Sequence, residues 1–286
     1  MATVTSTQTT ATRQPIMWRH ISTRLLIVLA LIILGPVLTA VLGGLKTTGE
    51  LYNLPFGLPE NPRWENYAGI LSSNTFWRQL GNSALIVVGT VSLVVTTSAL
   101  LAFVFSRLSF SGRELLFNYF TLGLLFPVTI AFLPVFIQVR QMGLIDNYLG
   151  IILPLVAFGI PGSTLILRGF FRAIPSELED AAYIDGCGTL GFFWYVLLPL
   201  ARPSLGAVIV LQTIVAWNEY FLPLLVLTDN GKWPLTLGIM QFQGQYGTDW
   251  GRVMAFVSLL IVPAVLFYIF TQKYIVTGLT GGELKG

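Results

Sequence analysis

Charged residues are scarce in this sequence. Asp, Glu, Lys and Arg make up 10% of its 286 residues, whereas an ordinary soluble domain carries about 25%. Hydrophobic residues reach 54%, and the formal net charge is only +3. No basic cluster is long enough to indicate nucleic acid as a partner. We therefore expect a protein whose surroundings are membrane lipid.

Cysteine and histidine are nearly absent, with Cys187 and His20 as the sole examples. A single cysteine excludes an intrachain disulfide and a multi-cysteine metal site. One histidine leaves few means of building a metal site or a nucleophile with its general base. A phosphate-binding Gly-x-x-x-x-Gly-Lys-Ser/Thr loop is also missing, and the nearest stretch is GGLKT at 43–47. We expect no catalytic residue, no metal site and no bound cofactor, and therefore not an enzyme.

The hydrophobic residues are gathered into six long blocks. Each has about 20 residues, enough for a helix to cross a hydrocarbon core of roughly 30 Å. The blocks lack the alternating pattern of barrel strands, so each backbone must satisfy its own hydrogen bonds as a helix. The fold class predicted is all-α, a polytopic membrane protein with six transmembrane helices. The spans are expected at 25–45, 82–105, 115–139, 148–170, 204–226 and 253–272. Spans three and four are expected to be broken and kinked by prolines, namely Pro127, Pro134, Pro154 and Pro161.

The predicted membrane domain occupies residues 21–275. Residues 1–20 are rich in Thr, Ser, Ala and Gln, which is typical of a disordered tail, and residues 276–286 form a second tail. Lys and Arg are more numerous on the side of the two tails. The positive-inside rule then predicts that both termini are cytoplasmic.

The connection between spans four and five, residues 171–203, is unlike a passive loop. Pro175 precedes Ser176, and Ser176 with Glu179 has the spacing of a capping box, so we expect a helix from Ser176 to Ile184. Its acids in the first turns, Glu177, Glu179 and Asp180, favour the positive end of the helix dipole. Gly186 and Gly188 should end this helix. A second amphipathic run, Leu190 to Leu198, is expected to stop at Pro199 and Pro203.

This connection resembles the EAA loop of ABC importer permeases. The resemblance is carried by the spacing of Asp180-Ala181-Ala182, Gly186, Val196 and Leu198-Pro199. Asp180 departs from the pattern, because the family has Glu at that place. In that family the loop docks into a cleft of a cytoplasmic ATPase subunit. The resemblance therefore implies a cytoplasmic coupling-helix loop, with the coupling residues Glu177, Glu179, Asp180, Ala181, Ala182, Asp185, Gly186 and Pro199.

Further motifs are similar to those of carbohydrate permeases, in particular the second permease subunit of maltose-type and glycerol-phosphate-type systems. They are Asn82-Ser83, Trp217-Asn218-Glu219 and, at the end of the chain, Gly278 to Thr280, Gly282, Lys285 and Gly286. Glu283-Leu284 departs from the family's usual pair. The resemblance extends from span one to the last residue.

The resemblance also implies the partners and the location. They are a second homologous permease subunit, two cytoplasmic ABC ATPase subunits that bind ATP and Mg, and an extracytoplasmic sugar-binding protein that contacts the 46–78 and 227–249 loops. The membrane is the prokaryotic inner membrane. A homodimeric permease is the second possible arrangement, and an ion-coupled secondary transporter of a small polar solute is the alternative function.

Glu219 is an acid inside predicted span five, where ionisable residues are costly and usually functional. Gln212, Asn218 and Tyr220 lie near it in sequence, and such polar and aromatic groups suit hydroxyl-rich ligands. We therefore predict a substrate pathway at Gln212, Asn218, Glu219 and Tyr220. The alternative is that Glu219 lies near the outer boundary and pairs with Arg78 or Arg252.

Overall fold

The structure is a computed structural model that describes residues 16–244 and 247–280, with side chains for 24–244 and 247–272. The helices are α1 (Ile16–Gly43), α2 (Thr48–Asn53), α3 (Trp64–Leu71), α4 (Asn74–Arg107), α5 (Arg113–Thr121), α6 (Val128–Gln141), α7 (Leu149–Ala173), α8 (Glu177–Ile184), α9 (Thr189–Gly191), α10 (Leu198–Leu200), α11 (Arg202–Trp217), α12 (Phe221–Val226) and α13 (Trp250–Thr280). A π-helix spans Phe192–Leu197, and 3₁₀ helices span Leu122–Leu125, Asn230–Lys232 and Leu235–Phe242. Strands β1 (Gln243–Gly244) and β2 (Gly247–Thr248) form a short antiparallel pair.

Four helical segments in the described chain are long and apolar enough to cross a membrane: Arg24–Gly43, α4, α7 and Trp250–Gln272. Two further pairs are bent, at 98° between Arg113–Leu125 and α6 and at 75° between Thr189–Leu200 and α11. If each pair counts as one span the total is six. The predicted all-α, six-span fold is therefore confirmed.

The structure describes only part of the two predicted tails. Helix α1 begins at Ile16, inside the segment 1–20 that we expected to be a tail, and residues 1–15 lie outside the described residues. Helix α13 runs to Thr280, and the closing residues Gly282, Lys285 and Gly286 also lie outside.

The centre of the bundle consists of α4, α7 and α11. Arg107, at the end of α4, donates to the carbonyl of Phe171 near the end of α7 (2.6 Å), so these two helices run in the same direction. Helix α11 begins at this same end, where Ala201 and Val208 share a core cluster with Phe171, and it runs in the opposite direction. We call this the α8 end of the bundle, because α8 follows α7 there.

The opposite end of the bundle is closed by α3, the start of α13 and the chain after α1. A Cβ at Gly44 would lie 2.5 Å from the Tyr67 hydroxyl and 2.7 Å from the Cα of Ala255, so backbone and side chain approach too closely for a larger residue. The Asn66 amide donates to the Gly44 carbonyl (2.9 Å), and Lys46 is fully buried with its ammonium donating to the Leu54 carbonyl (2.6 Å). These contacts hold the chain after α1 against α3 and the start of α13.

Span four corrects the sequence prediction, because Pro154 and Pro161 both lie inside the continuous helix α7. Neighbouring helices donate to carbonyls beside Pro161: the Ser98 hydroxyl to Ile160 (3.3 Å) and the Gln212 amide to Gly159 (3.5 Å). The carbonyl that Pro161 deprives of its helical donor is that of Ala157, so these two hydrogen bonds do not replace the lost one; they hold α7 against α4 and α11 beside the proline. Of the two prolines predicted to break span three, Pro127 lies at the bend and caps α6, whereas Pro134 lies inside the continuous helix α6.

Gly44→Ala should lower the free energy of unfolding by about 1–3 kcal/mol, because the added methyl group overpacks a site bounded by backbone. Thermal unfolding of the purified protein in detergent measures the change. Gly49→Ala is the matched control, since a Cβ there meets nothing within 4 Å. Equal melting temperatures for the two variants would contradict the close approach at Gly44.

Candidate functional site

Helix α8 lies exposed at the end of the bundle. Of its residues only Ala182 is buried, and it packs into the core cluster that contains Phe171. Gly186, directly after the helix, has φ +82°, a left-handed conformation that favours glycine. The other predicted coupling residues of this helix and its end lie on the surface or are partly covered, namely Glu177, Glu179, Asp180, Ala181 and Asp185.

The predicted capping box is wrong. Ser176 makes no side-chain hydrogen bond at the start of α8. The Glu179 carboxylate instead pairs with the Arg107 guanidinium (3.3 Å) and accepts from the Tyr183 hydroxyl (3.0 Å). The Arg107 side chain is only 8% exposed, and a buried cation needs an anionic partner more than a neutral N–H does.

Arg107 connects three elements of the structure. Its guanidinium donates to the carbonyls of Phe171 (2.6 Å) and Ile174 (2.8 Å), which end α7, and to Glu179 of α8. Its Cζ also lies 5.9 Å from the ring centroid of Phe192. Arg107 therefore joins α8 to the ends of α4 and α7. The sequence prediction missed Arg107, and an arginine ending an apolar span was the signal available.

The chain after α8 packs firmly beneath the bundle. Phe192, Phe193 and Leu197 of the π-helix are buried, and the rings of Phe193 and Phe103 lie 4.9 Å apart. The predicted coupling residue Pro199 is exposed within α10. This segment then turns by 75° into α11, which has Pro203 in its first turn.

Helix α8 also exposes apolar side chains that were not predicted as functional. Ile184 is 86% exposed, and Leu178 and Tyr183 are exposed as well. A helix beyond the membrane-spanning segments gains nothing from presenting such residues to water, so this face is typical of a protein interface.

The predicted pathway residues are not gathered into one site. The Gln212 amide donates to the Ser163 hydroxyl (3.0 Å) and holds α11 against α7 beside Gly159, where a Cβ would lie 2.7 Å from its Oε1. Asn218 is exposed and donates to the Ile214 carbonyl (2.8 Å). Glu219 and Tyr220 follow in the gap between α11 and α12.

Span five is interrupted at this gap, and Pro223 supplies the reason. A continuous helix would need an N–H at position 223 to bond with the Glu219 carbonyl, and proline has none. The Thr236 hydroxyl donates to that carbonyl instead (2.8 Å), and the Glu219 carboxylate accepts from the Leu222 N–H (3.0 Å). Among the described residues Glu219 forms no ion pair with Arg78 or Arg252.

A groove of about 660 Å³ opens between α4, α11 and α13. Its walls are mainly apolar, with a few hydrogen-bonding and aromatic side chains, namely Ser92, Thr213, Trp217, Asn218, Phe267 and Tyr268. Of the four predicted pathway residues, Asn218 alone lines it. In the part of the chain that the structure describes, no group of three or more His, Cys, Asp or Glu could hold a metal ion.

Two loops at the end opposite α8 are joined by Asp146, which has φ +55°. Its carboxylate accepts from the N–H groups of Thr228 (2.6 Å) and Asp229 (2.8 Å) and from the Thr228 hydroxyl, and its carbonyl accepts from the Lys232 ammonium (2.7 Å). The Thr228 hydroxyl, then these backbone N–H groups, lower the pKa of Asp146 below its ordinary value. The loop after α12 is thereby held in place.

A family model described as "Binding-protein-dependent transport system inner membrane component" matches residues 95–280. The diacetylchitobiose uptake system permease protein NgcG of Streptomyces coelicolor is 36% identical, over 93% of this chain and 88% of its own length. The sn-glycerol-3-phosphate transport system permease protein UgpE of Yersinia pestis is 32% identical, over 91% and 95% respectively. A solved bacterial ABC transporter that imports the acidic polysaccharide alginate has a chain of the same fold, with TM-score 0.77, 24% identity and coverage of 94% of this chain and 99% of that one.

Thr236→Val should lower the free energy of unfolding by about 1–3 kcal/mol, because it leaves the Glu219 carbonyl without a donor inside the protein. Thermal unfolding in detergent measures the loss. Thr96→Val on the exposed face of α4 is the control and should unfold like the wild type. If Thr236→Val also unfolded like the wild type, the break in span five would not depend on this hydrogen bond.

The Asp146 contribution to stability should depend on pH. Because its folded-state pKa is lowered from 3.8, the contribution is complete above pH 3.8 and is lost as the pH falls through the folded-state pKa. Asp146→Asn should remove this acid-dependent part of the stability, seen as a flatter plot of melting temperature against pH below 4. Glu60→Gln, at an exposed carboxylate, is the control. Parallel plots for wild type and Asp146→Asn would contradict the assignment.

Proposed function

Because the chain belongs to the family of binding-protein-dependent transport system inner membrane components, we propose that it is one of two permease subunits that enclose the translocation pathway of an ATP-driven carbohydrate importer. The α8 end faces the cytoplasm, and both termini lie on that side of the prokaryotic inner membrane. The family match favours this function over an ion-coupled secondary transporter, which needs no binding protein.

The proposal rests on two properties of α8: it is exposed at the end of the bundle, and it is attached to the ends of α4 and α7. The helix presents Ile184 and its acids Glu177 and Asp180 to a partner, while Glu179 is bound through Arg107 to the ends of two spans. A partner that moves α8 therefore moves the bundle. The predicted coupling residues, from Glu177 to Gly186 with Pro199, form the surface through which force enters.

We propose three kinds of partner. Two cytoplasmic ATPase subunits bind ATP and Mg and engage α8 of each permease. A second homologous permease completes the pathway, because six spans enclose little hydrophilic space. An extracytoplasmic binding protein docks on the 46–78 and 227–249 loops. In support, a further solved alginate ABC transporter chain of the same fold is described in complex with a pentasaccharide-bound periplasmic protein.

The proposed cargo is a sugar, polyol or oligosaccharide. Support comes from the names of relatives such as the diacetylchitobiose and glycerol-3-phosphate permeases. Asn218, Thr213 and Ser92 offer hydrogen-bonding groups in the groove, and Trp217 and Tyr268 offer the aromatic faces that suit sugar rings. Gln212, Glu219 and Tyr220 stay predicted pathway residues at the break in span five.

In the proposed transport mechanism, the helices of the bundle move as rigid bodies. Closure of the ATPase subunits displaces α8, and the Arg107 contacts carry this displacement to α4 and α7. The Gln212–Ser163 hydrogen bond carries it on to α11, so that the helices lining the groove shift together. The interruption at 218–220 lets the two parts of span five change their relative angle.

Ile184→Asp tests the function. Removing an apolar contact of about 2 kcal/mol would weaken ATPase binding about 30-fold. In vesicles containing the assembled transporter, we expect ATP-dependent uptake of a labelled oligosaccharide cargo and stimulation of ATP hydrolysis by the binding protein to fall together. The amount of the chain in the membrane should not change, because Ile184 is 86% exposed.

Ile184→Leu is the matched control, since it keeps the apolar area and should retain uptake. Normal uptake and stimulation in Ile184→Asp would contradict the coupling role of α8. Uptake by the wild type without ATP or without the binding protein would contradict the proposed class of transporter.

A further inference from the structure

Three arginines surround one carboxylate at the α8 end of the bundle. The Glu114 carboxylate lies 2.5 Å from the guanidinium of Arg168, 3.4 Å from that of Arg113 and 3.5 Å from that of Arg172. These three cations exceed the single anion, so the cluster carries an excess of positive charge. We refer to these four residues as the arginine cluster.

The three arginines differ in how many of their N–H donors already have partners within the protein. Arg168 is buried, donates to the Phe105 carbonyl (3.0 Å) and stacks 3.7 Å above the Phe117 ring, so its role is structural. Arg113 also donates to the Leu108 carbonyl (3.1 Å). The Arg172 side chain is 50% exposed, and Glu114 is its partner in the described structure. Each guanidinium has five N–H donors, which leaves donors available on Arg172 and Arg113.

The cluster lies at the boundary between polar and apolar surface. Beside it is a hollow of about 340 Å³ that Phe110 and Leu115 help to line. From there the first turns of α5 expose Leu115, Leu116 and Tyr119. On a membrane-spanning segment such residues face lipid tails, so the arginines beside them lie at the depth of lipid headgroups.

We infer that the arginine cluster binds an anionic phospholipid of the cytoplasmic leaflet, with the phosphate at Arg113 and Arg172 and the acyl chains along Leu115, Leu116 and Tyr119. The inference rests on the proposed function, which assigns the α8 end to the cytoplasm. Guanidinium groups bind phosphate through paired hydrogen bonds, and basic pockets at helix ends on this side attract anionic headgroups. The cytoplasmic leaflet supplies such lipids at high local concentration.

An ATPase subunit fits this surface less well than lipid does. The surface that α8 offers to the ATPase carries the acids Glu177 and Asp180, opposite in sign to the arginine cluster. A soluble partner would also have to cover the apolar residues of α5, which the bilayer already covers. The two surfaces therefore suit different ligands.

The test uses the full-length transporter in vesicles of phosphatidylcholine containing spin-labelled phosphatidylglycerol or spin-labelled phosphatidylcholine. Electron paramagnetic resonance measures the fraction of each label immobilised by protein. The wild type should prefer phosphatidylglycerol. Arg172→Gln should weaken this preference about fivefold, the equivalent of about 1 kcal/mol per arginine near an anionic surface, and Arg113→Gln with Arg172→Gln should weaken it further.

Arg202→Gln is the matched control, because it removes the same charge from an exposed residue at the same end of the bundle. It should leave the preference unchanged. Inorganic phosphate should not release the lipid when compared with chloride at equal ionic strength.

The inference would be overturned by no preference in the wild type, by an unchanged preference in the double variant, by an equal loss in Arg202→Gln or by release of the lipid by phosphate. Loss of ATPase binding by the double variant in pure phosphatidylcholine would identify the cluster as a protein contact and would also overturn it. Uptake is recorded separately in the same vesicles. A wild type that binds phosphatidylglycerol but shows no ATP-dependent uptake would contradict the proposed function and leave the lipid site standing.

Discussion

The attachment of α8 to the bundle depends on one buried cation. Arg107 ends the longest helix of the described chain, and its guanidinium satisfies two carbonyls at the end of α7 as well as the Glu179 carboxylate. A charge in so enclosed a place is costly unless it is paired with an anion and hydrogen-bonded. Breaking the contact would leave the Arg107 charge buried without its partners, so α8 is held firmly against the ends of α4 and α7. This attachment is the basis of the coupling role that we propose for α8.

Stiffness at the α8 end contrasts with interruption elsewhere in the bundle. Span three bends by 98° at Pro127, and span five stops for three residues before Pro223. At the second break the freed Glu219 carbonyl is covered by the Thr236 hydroxyl, so the interruption is stabilised by the loop after α12. The proposed mechanism uses both features: the interruption in span five is where its two parts change angle, and the Arg107 contacts are where α8 is joined to α4 and α7.

Charge is concentrated at the two ends of the bundle and serves different purposes there. Asp146 and Lys232 hold two loops together at the end opposite α8. At the α8 end, exposed acids of α8 and the arginine cluster present surfaces of opposite sign. In the proposed arrangement, lipid and a soluble partner therefore contact the same end of the molecule through different residues.

The sequence by itself determined the all-α class, the six apolar segments and the presence of a structured segment between spans four and five, because hydrophobic block length and proline and glycine spacing are local properties. It located α8 to within one residue, yet it assigned Glu179 to a cap and broke α7 at prolines. Only the tertiary structure decided those points. The partner of Glu179 lies 72 positions away at Arg107, and the side chains that hold α7 in place beside Pro161 belong to α4 and α11. No local pattern contains such contacts, since they exist only after the helices pack.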